Sequence, residues 1–291
     1  MTRAGTVCLA GAPNTGKSTL LNRILGRQLS IASSKPQTTR VQVLGVHVEG
    51  DTQIVFTDTP GIHAPRGEMH ARMVDSARRG VRDADLVCWV VAADRGASAV
   101  DIEEIRNNAG RPVVAVINKC DRVARPQILP IIAAISEADP DAEIVPLSAL
   151  TGENLATLLR VLVERMPEGE WLYPADALTD RPTRFFVAEL VREQVFVQLE
   201  QELPYRAAVL VDAFEERANG DAYVAATIYV DAESARKIII GKQGARIKSI
   251  GIAARKSIET FLERRVYLDL HVRVKKDWQS DRRFLEELGL S

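Results

Sequence analysis

The segment Gly11-Ala-Pro-Asn-Thr-Gly16-Lys17-Ser18-Thr19 constrains this chain more than any other. It satisfies GxxxxGK[ST] and lies between an apolar run over residues 7–10 and an amphipathic stretch over 18–25, the strand-to-helix context in which the pattern cradles phosphate. Glycines let successive backbone N–H groups turn toward phosphate oxygens at a helix N-terminus, a lysine adds a point charge, and a serine hydroxyl can coordinate Mg²⁺. Gly11, Ala12, Pro13, Asn14, Thr15, Gly16, Lys17, Ser18 and Thr19 therefore form a candidate nucleoside triphosphate site.

The rest of residues 1–172 repeats the same alternation. Strand-like runs at 41–48, 53–57, 86–93, 113–118 and 144–147 are interleaved with helical stretches such as 155–165, which predicts a doubly wound α/β sheet. Residues 173–182 hold Pro174 and Pro182 and no sustained period, so they read as a linker. Residues 183–291 read as a smaller α+β domain with a C-terminal tail: a strand over 183–190, a helix over 191–199, strands over 205–214 and 223–230, helices flanking Gly241, and a strand over 266–274.

At 46% hydrophobic and 26% charged residues, the 291-residue chain is neither disordered nor disulfide-rich. No apolar run approaches the about 20 residues needed to cross a bilayer. Cys8, Cys88 and Cys120 lack CxxC spacing, and His47, His63, His70 and His271 are too dispersed for a metal site. With no hydrophobic leader after Met1, a reducing cytoplasm is the expected location.

Three further segments follow the phosphate loop at the ends of successive strands. Asp58-Thr-Pro-Gly61 can place Asp58 toward Mg²⁺ through water and the Gly61 N–H toward a γ-phosphate. Asn118-Lys119-Cys120-Asp121 puts a carboxylate where it can accept two N–H donors from guanine, a pair that adenine does not offer. Ser148-Ala149-Leu150 can supply a backbone N–H to the guanine carbonyl oxygen. The ordered set resembles the GTPase superfamily over roughly the first 170 residues. The resemblance gives Thr39, or Thr38, the place of the switch threonine that contacts Mg²⁺ and the γ-phosphate. Lys17, Thr39 and Asn14 are the candidate catalytic residues, and Ser18, Thr39 and Asp58 the candidate metal ligands. Ile62 stands where many small GTPases carry a water-orienting glutamine, so intrinsic hydrolysis should be slow. In related GTPases an asparagine at the Asn14 position binds K⁺; a structural asparagine capping the loop is the other reading.

The second specific signal is Gly241-Lys242-Gln243-Gly244, with Ile239, Ile240, Ile247 and Ile250 giving the flanking helices a buried face. That is the GXXG loop of a type II KH domain, a fold for single-stranded RNA. The overall net charge of −1 conceals 14 Lys and Arg against 5 Asp and Glu over residues 236–283. Lys242, Arg246, Lys248, Lys275 and Lys276 thereby become a candidate phosphate track, with Trp278 at the RNA edge.

Together with Lys35-Pro-Gln-Thr-Thr-Arg40, Glu189-Leu-Val-Arg-Glu193 and Leu203-Pro-Tyr205, this pairing resembles the Era-like family of bacterial GTPases over nearly the whole chain. The resemblance implies alternation between GTP and GDP, Mg²⁺ dependence and binding to the 3′ end of 16S ribosomal RNA in 30S subunit assembly. It also implies a monomer with peripheral association at the cytoplasmic face of the inner membrane. One departure is Asp277, where a small residue, usually glycine, is expected before Trp278. A tRNA-modifying GTPase shares the loop and the hydrophobic replacement of glutamine, but would need a catalytic cysteine or folate site, and no cysteine lies beyond Cys120. An RNA-binding protein with a vestigial GTPase is the third alternative, although every phosphate, Mg²⁺ and guanine element is present.

Overall fold

A computed structural model describes the chain except residues 32–34, 36–37, 63–66, 109–111 and 291. It divides into two compact units, Met1–Pro65 with His70–Asp180, and Arg66–Met69 with Arg181–Ser291.

In the first unit β1 (Arg3–Ala10), β2 (Val43–Glu49), β3 (Thr52–Asp58), β4 (Leu86–Ala92), β5 (Val113–Asn118) and β6 (Glu143–Pro146) form one sheet in the order β2-β3-β1-β4-β5-β6. All neighbours are parallel except β2 with β3. Helices α1 (Lys17–Leu25), α2 (Glu68–Asp83), α3 (Ala99–Asn107) and α4 (Leu129–Ala138) connect strands, and α5 (Leu155–Arg165) follows β6. Every residue of β4 and β5 is buried, which is why both read as unbroken apolar runs and not as alternating ones. Because β1 pairs with β3 on one side and β4 on the other, the strand order reverses there, and open α/β sheets form their ligand crevice at such a point.

Residues 173–180, which the sequence suggests as a linker, are bonded to this sheet. Val46 donates its N–H to the Leu178 carbonyl at 2.9 Å, and Thr179 Oγ1 donates to the Leu44 carbonyl at 2.7 Å. Gln53 Oε1 accepts the Leu172 and Tyr173 N–H groups at 2.8 and 2.9 Å. Proline disrupts periodicity without preventing these isolated bonds.

The second unit has a three-stranded sheet, β7 (Ala207–Glu216), β8 (Ala222–Val230) and β9 (Val266–Val274), with β7 and β8 antiparallel and β8 and β9 parallel. Helices α6 (Thr183–Gln198), α7 (Glu233–Ile240), α8 (Ala245–Leu262) and α9 (Arg282–Glu287) complete it. The expected strand over 183–190 is corrected, because α6 runs unbroken through it. Phe186, Val187, Leu190, Val191 and Val195 are buried at helical spacing, so packing of one helix face outweighs the strand propensity of Phe185-Phe186-Val187. Alternate residues of β8, from Ala222 to Val230, share a core with Ile239 of α7 and Ile250, Ala254 and Ile258 of α8. Two of the less transparent sequence segments are structural. Arg192 is buried against Glu189, with its guanidinium over the Phe196 ring, and Tyr205 packs edge-on to that same ring at 5.5 Å.

Candidate functional site

Three oxygens converge behind the phosphate loop. Ser18 Oγ donates to Asp58 Oδ2 at 2.7 Å and lies 2.8 Å from Thr39 Oγ1, and Thr39 Oγ1 donates to Asp58 Oδ2 at 3.3 Å. Asp58 is fully buried, and its Oδ1 has no hydrogen-bond partner among the described residues. Ser30 Oγ also favours the Asp58 anion, although it has no hydrogen-bond partner among the described residues. Burial raises the Asp58 carboxyl above its ordinary value, opposed by Lys17 and by the Ser18, Ser30 and Thr39 hydroxyls. An orphaned carboxylate oxygen beside two hydroxyls is a donor set suited to a hard divalent cation such as Mg²⁺. Thr39 makes the contacts to Ser18 and Asp58. Pro36 and Gln37 of the neighbouring segment, and His63, lie outside the described residues.

The phosphate loop owes its shape to its residue types. Gly16 has φ 98°, and a Cβ there would fall on Asn118 Nδ2. Asn14 also occupies the left-handed region at φ 64°, which asparagine tolerates better than most residues. Lys17 Nζ donates to the Gly11 and Ala12 carbonyls at 3.0 and 2.9 Å, and burial lowers its pKa, with Asp58 opposing. The Ile62 N–H meets the Gly11 carbonyl at 3.3 Å, while the Ile62 side chain packs into the core with Ala77, Val81 and Trp89. A cleft of about 350 Å³ is lined by Pro13, Asn14, Gly16, Lys17, Ser18, Thr19, Thr39, Gly61, Lys119 and Leu150.

The base-reading segments are locked to one another. Asn118 Nδ2 donates to the Thr15 carbonyl at 2.8 Å, and Asn118 Oδ1 accepts the Ala149 N–H at 2.9 Å. Ser148 Oγ donates to Asp121 Oδ1 at 2.6 Å, which orients that carboxylate. Lys119, at φ 65°, pairs with Asp94 at 3.5 Å, and Arg122 pairs with the same carboxylate at 3.3 Å. The sequence reading missed Asp94, Arg95 and Arg122, which also line the cleft, because they carry no motif and reach it only through the fold.

In the second unit Gly241 has φ 73°, and a Cβ there would approach Arg246 Cβ to 2.8 Å, so the turn from α7 to α8 requires glycine. Lys242, Gln243 and Lys248 are exposed around it, as is Lys276 beyond β9. Arg246 Nη1 donates to the Ile238 carbonyl at 3.2 Å. Lys275 is drawn to the C-terminal segment, with its Nζ 2.7 Å from Asp281 Oδ2 and 4.8 Å from the Phe284 ring centroid. The expectation that Trp278 forms an RNA edge is corrected: Trp278 is 0% exposed, and its Nε1 donates to the Arg206 carbonyl at 3.2 Å. An amphipathic ring with one polar atom fits a core whose backbone offers an acceptor. Asp277 before it has φ 52°, which is why glycine suits the position.

A groove of about 360 Å³ runs between α8 and β9, lined by Ile247, Lys248, Gly251, Ile252, Arg255 and Leu268, with Leu270. The sequence reading missed Gly251, Ile252 and Arg255 here. The available signal was Ile252, 57% exposed and on the other side of the helix from Ile250.

A phosphate loop with guanine-type base segments on a doubly wound sheet, joined to a unit with a GXXG turn, defines a GTPase that carries a KH domain. A family model described as 50S ribosome-binding GTPase matches residues 6–119, and one described as KH domain matches residues 202–279. The GTPase Era of Geobacter metallireducens is 47% identical over 290 residues, covering 99% of this chain and 97% of its own length. That of Sinorhizobium medicae is 43% identical over 291 residues, covering 99% and 94%. The chain belongs to the Era family of GTPases. A variant of Aquifex aeolicus Era bound to GDP·AlF4⁻ matches with a TM-score of 0.94 at 39% identity, covering 100% of both chains. Era in complex with MgGDPNP and nucleotides 1506–1542 of 16S ribosomal RNA matches with a TM-score of 0.95 at 39% identity, again covering 100% of both.

Proposed function

We propose that this chain is a GTP-hydrolysing switch that binds the 3′ end of 16S ribosomal RNA through its KH domain during assembly of the 30S subunit. The observation that carries the reading is full-length similarity to Era solved with MgGDPNP and that RNA segment, in a chain with its own guanine-type site and GXXG turn.

The N–H groups of residues 14–18 and the Lys17 ammonium hold the β- and γ-phosphates, and the Gly61 N–H meets the γ-phosphate. The Ser18 and Thr39 hydroxyls and the Asp58 carboxylate would hold Mg²⁺. When bound, Mg²⁺ neutralises charge on the phosphates. Asp121 accepts the two guanine donors, held in place by Ser148, and Lys119 lies along the base. With the Ile62 side chain turned into the core, no side chain at that position orients the attacking water, and hydrolysis is slow without assistance. Asn14, lining the cleft beside Lys17, would help hold a K⁺ ion that adds positive charge beside the phosphates. Hydrolysis should then run faster in K⁺ than in Na⁺ at equal ionic strength, and Asn14→Ala should erase the difference. Equal rates for the unmodified protein in both salts would remove K⁺ from the account.

On the RNA side, Gly241 and Gly244 let a phosphate backbone approach closely. Lys242, Gln243, Lys248 and Lys276 contact it, and the bases lie in the groove beside Ile252 and Leu268. GTP favours the RNA-competent state, and hydrolysis marks release. The protein acts as a cytoplasmic monomer. Any association with the inner membrane is peripheral, since no helix among the described residues is long and apolar enough to cross it. The tRNA-modifying alternative finds no support, because burial raises all three thiols above the ordinary cysteine value and none is poised as a nucleophile. Crosslinking the GTP-bound protein to total cellular RNA and sequencing the adducts tests the reading. Adducts should concentrate at the 16S 3′ end, and a scatter over unrelated RNA would refute it.

A further inference from the structure

Arg23 lies in the last turn of α1, the nine-residue helix that begins with Lys17 and Ser18 at the phosphate loop. Its guanidinium reaches across to the loop that follows β6. Arg23 Nε donates to the Ala149 carbonyl at 3.0 Å, and Arg23 Nη2 donates to the Leu150 carbonyl.

The first of these bonds bears on base recognition through the geometry of a single peptide. The Ala149 carbonyl and the Leu150 N–H belong to one planar trans group, so they point in opposite directions. Fixing the carbonyl toward Arg23 fixes the N–H away from it. The neighbouring donors of the loop are committed: Ser148 N–H to the Glu153 carbonyl at 3.1 Å, Ala149 N–H to Asn118 Oδ1 at 2.9 Å, and Thr151 N–H to Ser148 Oγ at 3.2 Å. The Leu150 N–H takes no partner among the described residues, and Leu150 lines the nucleotide cleft.

We infer that Arg23 is a specificity-positioning residue, which by gripping the Ala149 and Leu150 carbonyls aims the Leu150 N–H at the 6-oxo group of guanine. The inference rests on the guanine reading of the cleft. A cation on the carbonyl side also polarises the peptide and strengthens its N–H as a donor. The same short helix thus has the phosphate-binding residues at its start and a hold on the base-reading loop at its end. Arg23 is not among the residues lining the cleft and acts only through the peptide it orients.

The test is a cycle between residue and ligand. Affinities of GTP and of 2-aminopurine riboside 5′-triphosphate, which keeps the 2-amino group and lacks the 6-oxo group, are measured with Mg²⁺ for the unmodified protein and for Arg23→Ala. Arg23→Ala should weaken GTP by about threefold to tenfold, the usual range for one hydrogen bond. It should weaken the 2-aminopurine nucleotide by less than about twofold, so that the preference for GTP narrows. That second affinity also reports that the variant's cleft is folded. Equal losses for both nucleotides would make Arg23 a purely structural tie and overturn the inference, as would an unchanged GTP affinity. If the unmodified protein fails to prefer GTP over the 2-aminopurine nucleotide, the guanine reading itself falls and takes the inference with it.

Discussion

The Asn118 side-chain amide donates to the Thr15 carbonyl at 2.8 Å, joining the end of β5 to a phosphate loop 103 residues away in sequence. Its Oδ1 simultaneously holds the Ala149 N–H. One side chain therefore connects the phosphate, base-selecting and carbonyl-reading segments, and both of its partners are buried. Asn118→Ala would leave a buried carbonyl and a buried N–H unpaired, costing about 2–4 kcal/mol of stability. The denaturant midpoint of the nucleotide-free protein should fall accordingly, and GTP affinity should drop more than about tenfold. An unchanged midpoint would mean that the three segments hold their positions independently.

Asp58 gives opposite signs for stability and function. Its folded pKa is raised by burial from 3.8, so between that value and the folded one the native chain holds more proton than the unfolded chain. The contribution of this group to stability consequently falls as pH rises through that window. Asp58→Asn should leave the nucleotide-free protein at least as stable at neutral pH, flatten its stability profile over the window, and weaken Mg²⁺-dependent GTP binding more than about tenfold. Urea titrations at several pH values and nucleotide binding with and without Mg²⁺ measure the two effects. A variant that loses stability while binding MgGTP normally would reverse the assignment.

Much of the nucleotide site is legible in the sequence, because its chemistry is written in contiguous motifs whose spacing is set by local backbone geometry. Gly16 and Lys17 open the helix that follows β1, Asp58 ends β3 and Asp121 lies just beyond β5, and the apolar runs already mark those strands. Long-range relations escape such reading. Nothing near Arg23 in sequence indicates that it reaches the Ala149 carbonyl, and nothing near Lys275 indicates Asp281. The α6 segment misleads because Phe185, Phe186 and Val187 suit a strand equally well until their partners in the core are known. Trp278 misleads in a different way: an aromatic residue in a basic segment fits both a stacking platform and a buried anchor, and only the Arg206 carbonyl distinguishes them.

Asp277 occupies the left-handed region at φ 52°, and its side chain makes no capping bond to the turn that follows. A side chain in that conformation costs roughly 1–2 kcal/mol, part of which glycine gives back through greater freedom in the unfolded chain. Asp277→Gly should therefore raise stability by about 0.5–1 kcal/mol and leave Trp278 buried, as its fluorescence maximum would report. A lower midpoint would mean that the Asp277 carboxylate makes a contact in solution that outweighs the backbone strain.

The most direct test of the account is a salt titration of RNA binding. Lys242 and Gln243 are both exposed in the turn between α7 and α8, within a segment of 14 Lys and Arg against 5 Asp and Glu, and neither belongs to the buried isoleucine face. Binding of a single-stranded RNA with the 16S 3′-end sequence would be measured with a non-hydrolysable GTP analogue present, for the unmodified protein and for the double variant Lys242→Asp, Gln243→Asp. For single strands log affinity falls with log salt by about 0.7 per neutralised phosphate, so the variant's slope should flatten by roughly 0.7–1.4, with lower affinity at low salt. GTP hydrolysis should be unchanged, since every nucleotide contact lies in the other unit. Retention of the RNA affinity and the salt slope by a folded double variant would contradict the account, because the GXXG turn would then be a plain connection between two helices.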